Sequence, residues 1–305
     1  MIYLPDLPDI MKVAAQTLTD PIFEQLKINV TVLRLDKIHA IISGNKWFKL
    51  KYYLKRASDL QKKGVVTFGG AFSNHLIATA YACKQSGLSS IGVIRGEEPA
   101  VYSPTLQDAG SYGMKLLFQS RQAYKDRHLI LELQQSHPDY LLVEEGGRGH
   151  LGVKGAEEIL HLVPSHHYTH ILCAIGTGTM ISGIINSALV TQQIIGIPVI
   201  KMANSHCEAV EFINAHTTAV NFSIQNDFHF GGYAKKNNTL IQFMNDFYHQ
   251  HAIPTDFVYT GKLFYGAMKL VEKNFFVAGS NILIIHSGGL QGNRSLPEGL
   301  LHFNS

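Results

Sequence analysis

Apolar runs rich in Val, Ile and Leu alternate along the chain with segments whose apolar residues recur at helical spacing. The runs predict strands over 30–35, 65–68, 91–95, 115–118, 140–143, 171–175, 197–202 and 282–285. Between them the pattern predicts helices over 47–63, 73–86, 104–112, 121–135, 152–162, 179–190, 240–251 and 262–273. Strands that lack polar alternation and are separated by helices signify parallel sheets covered on both faces. The expected class is therefore α/β, with open, mostly parallel sheets. No internal repeat or low-complexity tract interrupts the pattern. No Pro- or Ser-rich linker does either, so a division into two lobes must pass through short crossings.

Composition narrows the picture without changing it. A chain of 305 residues, 46% hydrophobic and 16% charged, can bury a large core. The net charge is +3 with scattered basic residues, which asks for neither nucleic acid nor a membrane surface. Cys83, Cys173 and Cys207 are odd in number, lack C-x-x-C spacing and lie in apolar surroundings. They read as buried free thiols in a reducing compartment. The first twelve residues carry Asp6 and Asp9 and no long apolar run, so they are not read as a signal peptide. The longest apolar stretches are strand-sized, and a cytoplasmic location is expected.

Chemistry concentrates at turns that follow strands and precede helices, which is where open α/β sheets bind ligands. Lys46 closes the turn Ser43-Gly44-Asn45-Lys46, and Gly69-Gly70-Ala71-Phe72-Ser73-Asn74-His75 follows one helix and one strand later. A lysine at such a point can hold a carbonyl cofactor as a Schiff base, with small polar groups of the second turn brought against it. Trp47, Phe48 and Leu50 mark a partly buried segment, and a buried lysine loses proton affinity and becomes nucleophilic. In Gly176-Thr177-Gly178-Thr179, two glycines, the N–H groups of a helix start and two hydroxyls offer a place for a phosphate. A tight strand-to-helix turn is the plainer alternative. A dinucleotide fingerprint fails because Ile181 stands where its last glycine belongs.

A rival reading makes Ser73 a nucleophile with His75 as its base. The G-x-S-x-G elbow is absent, however, and residues two apart at a helix start face different sides. Ser73 also suits a helix N-cap. His161, His166, His167 and His170 cluster, but without H-E-x-x-H or paired cysteines they read as a solvated loop, and no metal is expected.

Taken together, Ser-Gly-Asn-Lys46, Gly-Gly-x-x-Ser73-Asn74-His75, the Thr-Gly-Thr loop, Val258-Tyr259-Thr260-Gly261-Lys262 and His286-Ser287-Gly288-Gly289 resemble a known family. They look like the D-cysteine desulfhydrase and 1-aminocyclopropane-1-carboxylate deaminase family, pyridoxal phosphate enzymes of the tryptophan synthase β-subunit fold type. The resemblance runs nearly the whole length of the chain, in order. It implies two lobes, with residues 1–54 and 164–305 forming a large cofactor-binding domain and 55–163 a small inserted one. By that likeness Lys46 carries the cofactor and then moves the substrate's α-proton. Asn74 hydrogen-bonds the cofactor's phenolic oxygen, and Ser73 and His75 sit by the substrate carboxylate. Gly176, Thr177, Gly178 and Thr179 hold the phosphate, while Tyr259 and Tyr233 are the active-site tyrosines. Each tyrosine could equally be a half-buried packing residue. A homodimer acting on a small amino acid is implied as well.

The likeness also separates the family's two activities. Ring-opening members have a glutamate after the tyrosine and a leucine before the Gly-Gly pair; here Thr260 and Ser287 occupy those positions. Hydroxyls hold a protonated pyridine ring less firmly than a carboxylate does. The expectation is β-elimination from D-cysteine to pyruvate, ammonia and hydrogen sulfide. Ring opening of 1-aminocyclopropane-1-carboxylate, or binding without turnover, are the alternatives. The chain departs from the family where Lys-x-Arg-Lys reads Lys46-Trp47-Phe48-Lys49 and where Asp-Pro-Val-Tyr reads Asp256-Phe257-Val258-Tyr259. Trp47 and Phe48 are accordingly candidates for reshaping the pocket.

Overall fold

The structure, a computed structural model, describes residues 8–126, 128–201, 208–217 and 221–303. Among the described residues, ten strands form two sheets. The larger has the order β1 (Ala15–Thr17), β2 (Asn29–Arg34), β10 (Asn281–His286), β7 (His170–Ile175), β8 (Gln193–Pro198) and β9 (Phe222–Ile224). All its neighbours are parallel except β1 on β2. The smaller sheet runs β5 (Met114–Gln119), β4 (Ser89–Arg95), β3 (Gly64–Gly69), β6 (Tyr140–Val143), and is parallel throughout. Its four strands fall between β2 and β7 in the sequence. The helices are α1 (Pro21–Leu26), α2 (Asn45–Asp59), α3 (Asn74–Gln85), α4 (Pro104–Ser111) and α5 (His128–Ser136). They continue with α6 (His150–Glu157), α7 (Thr179–Ser187), α8 (Glu208–His216), α9 (Asn238–His251) and α10 (Thr260–Glu272).

The unbroken apolar runs follow from burial on both faces. Val32, Leu172 and Ile284 pack into one core with Phe264 and Leu270, while their chain neighbours Leu33, Ile171 and Leu283 pack into another with Phe48 and Ile184. Successive strand residues point to opposite faces, so a sheet with a core on each side must be apolar at every position.

Most elements lie where the pattern places them, and the differences have local causes. The helix expected over 121–135 is a 3-10 turn, Ala123–Lys125, then α5, because Asp126 is extended and its carboxylate accepts the His128 N–H at 2.9 Å. The helix over 152–162 is α6 followed by a 3-10 stretch, Glu158–Leu162. The strand expected over 197–202 is β8, shifted toward the N-terminus. Pairing of Ile194 with Ile171 and burial on both faces outweigh the weak propensities of Gly196 and Pro198. Met202 and Cys207 lie outside the described residues, whereas Cys83 and Cys173 are buried free thiols. The short elements β1, α1 and β9 carry too few residues for a readable period, and no helix is predicted over α8. Among the described residues no helix is long and apolar enough to cross a membrane.

Candidate active site

The final strand, β10, enters the large sheet between β2 and β7. Its outgoing turn therefore falls between the turn that opens α2 and the loop that opens α7. Gly44 has φ 65°, and a Cβ there would stand 1.8 Å from the Ser287 carbonyl oxygen. Only glycine allows this approach. The Asn45 N–H then donates to the Ser287 carbonyl at 3.2 Å, which ties the start of α2 to the end of β10. Beneath this contact, the buried Asp36 carboxylate accepts two bonds from Arg34 at the end of β2, at 2.8 and 2.6 Å.

Lys46 is thereby placed in the first turn of α2, where it lines a cavity with Ser73, Asn74, His75, Gly176, Thr177, Gly178, Tyr233, Tyr259 and Ser287. Its Nζ donates to Asn45 Oδ1 at 2.7 Å and lies 5.7 Å from the centre of the Tyr259 ring. Burial lowers its pKa to about 8, and the Asp256 carboxylate only partly opposes this. Lys49, one helical turn on, lines the same cavity and is buried, with its pKa pushed well below the ordinary value by burial and then by Lys46. Trp47 and Phe48 turn away into the hydrophobic cores and do not line the cavity, so the expected reshaping of the pocket by these two is not seen.

The second turn joins β3 to α3. Ser73 caps α3 by accepting the Leu76 N–H at 3.4 Å and also faces the cavity. Asn74 Nδ2 donates to the Gly289 carbonyl at 3.2 Å, while its Oδ1 is buried without a partner. Thr67 Oγ1 gives its proton to the Val143 carbonyl at 2.8 Å, so it accepts from His75 Nε2, also at 2.8 Å. His75 Nδ1 is consequently a bare acceptor, buried and unpartnered. Burial first, then the charges of Lys46 and Lys49, lower the His75 pKa to about 3. Such an imidazole is a poor base for Ser73, which removes the support for a hydrolytic pair.

The third turn joins β7 to α7. Gly178 occupies the left-handed region at φ 86° and caps the helix. The N–H groups of the first helical turn have no partner within the helix, and the Thr177 and Thr179 hydroxyls lie 3.0 Å apart beside them. Met180, also lining the cavity, accepts Asn45 Nδ2 at 3.2 Å through its sulfur.

Tyr259 and Tyr233 meet edge to face at 6.1 Å between ring centres. Burial and the neighbouring Tyr233 hold the Tyr259 phenol well above its ordinary pKa, so it stays protonated. Ser287 faces the cavity. Thr260 does not: it is fully buried outside the lining, and its hydroxyl donates to Asp256 Oδ1 at 2.7 Å. Asp256 is buried too, accepting the N–H groups of Val258, Tyr259 and Thr260, each at 2.9 Å. Its carboxylate sits just behind Gly289, where a Cβ would approach Oδ1 to 3.4 Å.

A family description, "Pyridoxal-phosphate dependent enzyme", matches residues 18–288, most of the chain. The chain belongs to the pyridoxal-phosphate dependent enzymes. Among its relatives in this family is a putative 1-aminocyclopropane-1-carboxylate deaminase of Pyrococcus abyssi, 27% identical over 89% of this chain and 87% of the relative. A bifunctional D-cysteine desulfhydrase/1-aminocyclopropane-1-carboxylate deaminase of Arabidopsis thaliana is 25% identical over 82% of this chain and 70% of the relative. A solved structure titled as an ACC deaminase homologue superposes with a TM-score of 0.78 at 26% identity, covering 95% of this chain and 94% of the other. An aspartate racemase at 15% identity and TM-score 0.67, covering 91% and 90%, shares the fold.

Pyridoxal phosphate is the family's cofactor, and the residues present fit it. A half-buried amine of lowered pKa shares the cavity with an anion-ready helix start. Asn74 Nδ2 keeps one amide hydrogen beyond its bond to Gly289, and Thr177 lines the same cavity, so donors are at hand for an anionic cofactor. Lys49, Asp256 and Glu145 are the site residues that sequence reasoning missed. Lys49 was within reach through its i, i+3 spacing from Lys46. Glu145 lines the cavity and accepts the Tyr124 hydroxyl at 2.9 Å, and no local motif marks it.

Proposed function

We propose that this protein is a lyase that performs β-elimination on a small D-amino acid, with D-cysteine as the first candidate. One observation carries the reading: the Lys46 amine, its pKa lowered by burial, opposes Ser73, Asn74 and Tyr259 across one cavity. When bound, pyridoxal phosphate supplies an electron sink for the negative charge that develops at the substrate's Cα. In this assignment Thr177, Gly178 and Thr179 hold the phosphate through N–H and hydroxyl groups, with Gly176 letting the backbone come close. Lys49 adds positive charge nearby.

Asn74 still has one amide hydrogen to give to the cofactor's phenolic oxygen. Ser73 and the first N–H groups of α3 receive the substrate carboxylate, while the neutral His75, whose N–H is spent on Thr67, has no proton to offer it. Lys46 Nζ takes the proton from Cα as the Cβ–S bond breaks, and the electron pair of the C–H bond becomes the Cα–Cβ double bond. The Tyr259 hydroxyl, kept protonated, donates to the departing thiolate, with Tyr233 holding its orientation. Water then completes the balance: D-cysteine plus water gives pyruvate, ammonia and hydrogen sulfide.

Ser287 in the cavity wall supports elimination over ring opening, whereas Thr260, outside the lining and bonded to Asp256, carries no weight in that choice. The second reading, ring opening of 1-aminocyclopropane-1-carboxylate, is favoured by the names of the relatives. Residues 1–54 with 164–305, and 55–163, are proposed as the two domains, since the two sheets divide along the chain in that way. The family likeness supports a homodimer, and the free buried thiols support a reducing compartment.

The deciding measurement incubates the holoenzyme with D-cysteine, L-cysteine and 1-aminocyclopropane-1-carboxylate, and scores sulfide, pyruvate and 2-oxobutyrate. Sulfide and pyruvate from D-cysteine alone are expected. 2-Oxobutyrate as the main product would transfer the assignment to the second reading. Lys46→Ala should abolish turnover and the visible absorbance of the bound cofactor together.

A further inference from the structure

Beyond Glu145, Tyr233 and Tyr259, which line both spaces, the Lys46 cavity adjoins a second chamber of about 480 Å³. A substituent on the substrate's Cβ that is longer than a thiol passes the Tyr259 hydroxyl and enters this chamber. Two cations stand in its wall, Arg95 and Arg148. Arg148 is engaged: it donates to the Glu208 carbonyl at 3.4 Å, lies 3.8 Å from the Glu208 carboxylate and covers the Phe212 ring at 4.9 Å. Arg95 makes no hydrogen bond or ion pair among the described residues.

The fold nevertheless seats Arg95 firmly. It is the last residue of β4, at the carboxyl edge of the small sheet, beside the strand whose outgoing turn carries Ser73. Its guanidinium lies over the Tyr124 ring, 5.7 Å from the ring centre. Tyr124 is fixed in turn by its bond to Glu145 at 2.9 Å and by edge-on contact with Phe68 at 6.0 Å. On another side, a Cβ at Gly70 in the β3–α3 turn would stand 3.4 Å from Arg95 Nη2. A guanidinium stacked on an aromatic face keeps its N–H edge free to donate two parallel bonds to one carboxylate. Because the ring holds the plane in advance, little orientational freedom is lost when an anion arrives.

We propose that Arg95 is a specificity-determining residue that receives a carboxylate at the far end of the substrate's β-substituent. The substrate class is then the S-carboxyalkyl thioethers of D-cysteine, of which D-cysteine itself is the short member that leaves Arg95 unmatched. The inference rests on the elimination reading for the bond that breaks, and on Arg95 for the charge it selects. Lys46 Nζ takes the Cα proton, the C–H electron pair becomes the Cα–Cβ double bond, and the Cβ–S pair leaves on sulfur. The carboxyalkyl thiolate takes the Tyr259 proton. Overall, thioether plus water gives carboxyalkyl thiol, pyruvate and ammonia, and no oxidant or reductant enters.

The test gives the holoenzyme S-carboxymethyl- and S-(2-carboxyethyl)-D-cysteine, each beside its neutral side-chain amide, and scores thiol and pyruvate. At least one acid should exceed its own amide in kcat/KM by about tenfold or more, the scale of a charge-assisted pair. Arg95→Gln should bring that ratio to about one, and Arg95→Lys should keep part of it. Arg95 is exposed, so both variants should fold. A ratio near one in the wild type, or one that Arg95→Gln leaves unchanged, overturns the proposal. D-2-Aminoadipate and D-2-aminopimelate, which have no leaving group, carry the same comparison as binding, read from the holoenzyme's absorbance against their side-chain amides. If neither D-cysteine nor any D-thioether is turned over, the elimination reading fails. An Arg95-dependent preference for the acids in binding then still upholds the carboxylate subsite, and its absence overturns it.

Discussion

Lys46 differs from a surface lysine in one physical respect: few water molecules reach its amine, so the charged form loses hydration that Asp256 only partly replaces. With a pKa near 8, roughly one amine in ten is neutral at pH 7, against fewer than about one in a thousand for an ordinary lysine. A depressed lysine pKa moves the onset of nucleophilicity down the pH scale. The rate at which the cofactor-free protein takes up pyridoxal phosphate should therefore climb with pH and level off just above 8. Stopped-flow absorbance measures this, and a rate still climbing steeply at pH 10 would mean the amine is solvated. At Thr260 the structure changes what a substitution means. A glutamate there would bring a second carboxylate against the buried Asp256, and Thr260→Glu should destabilise the protein by about 3 kcal/mol. Urea denaturation of the cofactor-free variant reads it; an unchanged midpoint would show that the new carboxylate escapes to the cavity.

Among the elements, the junction between the α2 start and the β10 end holds the site together. Gly44 and Gly87 both have positive φ, 65° and 67°, but a Cβ on Gly44 meets the Ser287 backbone while one on Gly87 meets open space. The pair separates backbone conformation from close approach. Gly87→Ala should cost about 1 kcal/mol, the ordinary price of a left-handed residue. Gly44→Ala should cost about 3 kcal/mol or more and weaken cofactor retention, since the Ser287 turn must move. Equal losses in the two variants, read from denaturation midpoints at constant slope, would mean that the contact contributes nothing. Helix α6 shows the same economy of space: a Cβ on Gly155 would reach 1.7 Å from the Phe48 carbonyl oxygen, so α2 and α6 touch backbone to backbone.

Turns from both sheets meet at the one cavity, so a bound cofactor joins parts of the molecule that otherwise share little. A ligand that binds only the folded state stabilises it by about 2.7 kcal/mol at a hundred times its dissociation constant. For a chain of 305 residues that amounts to a rise in Tm of roughly 4 °C. Differential scanning fluorimetry should show this rise with pyridoxal phosphate and a smaller one with inorganic phosphate, which engages only the α7 start. An equal rise with phosphate alone would argue that Lys46, Asn74 and Tyr259 do not contact the cofactor.

The amino-acid sequence by itself determined the α/β class, because strands buried on both faces must be apolar without a break. It also placed Lys46, Ser73, Asn74, Thr177 and Thr179 at strand-to-helix turns marked by glycines, Ser287 at the end of the last strand, and Tyr259 just ahead of a helix. Tertiary structure decided which of these turns meet: the insertion of β10 between β2 and β7 is a pairing of distant segments that no local pattern encodes. It also decided the facing of individual side chains. Thr260 and Ser287 look alike as hydroxyls in a motif, yet one is spent on a buried carboxylate and the other faces the cavity. Charge effects were beyond the sequence for the same reason. The lowered pKa of Lys46 and the bare nitrogen of His75 both arise from excluded water and from partners far away along the chain.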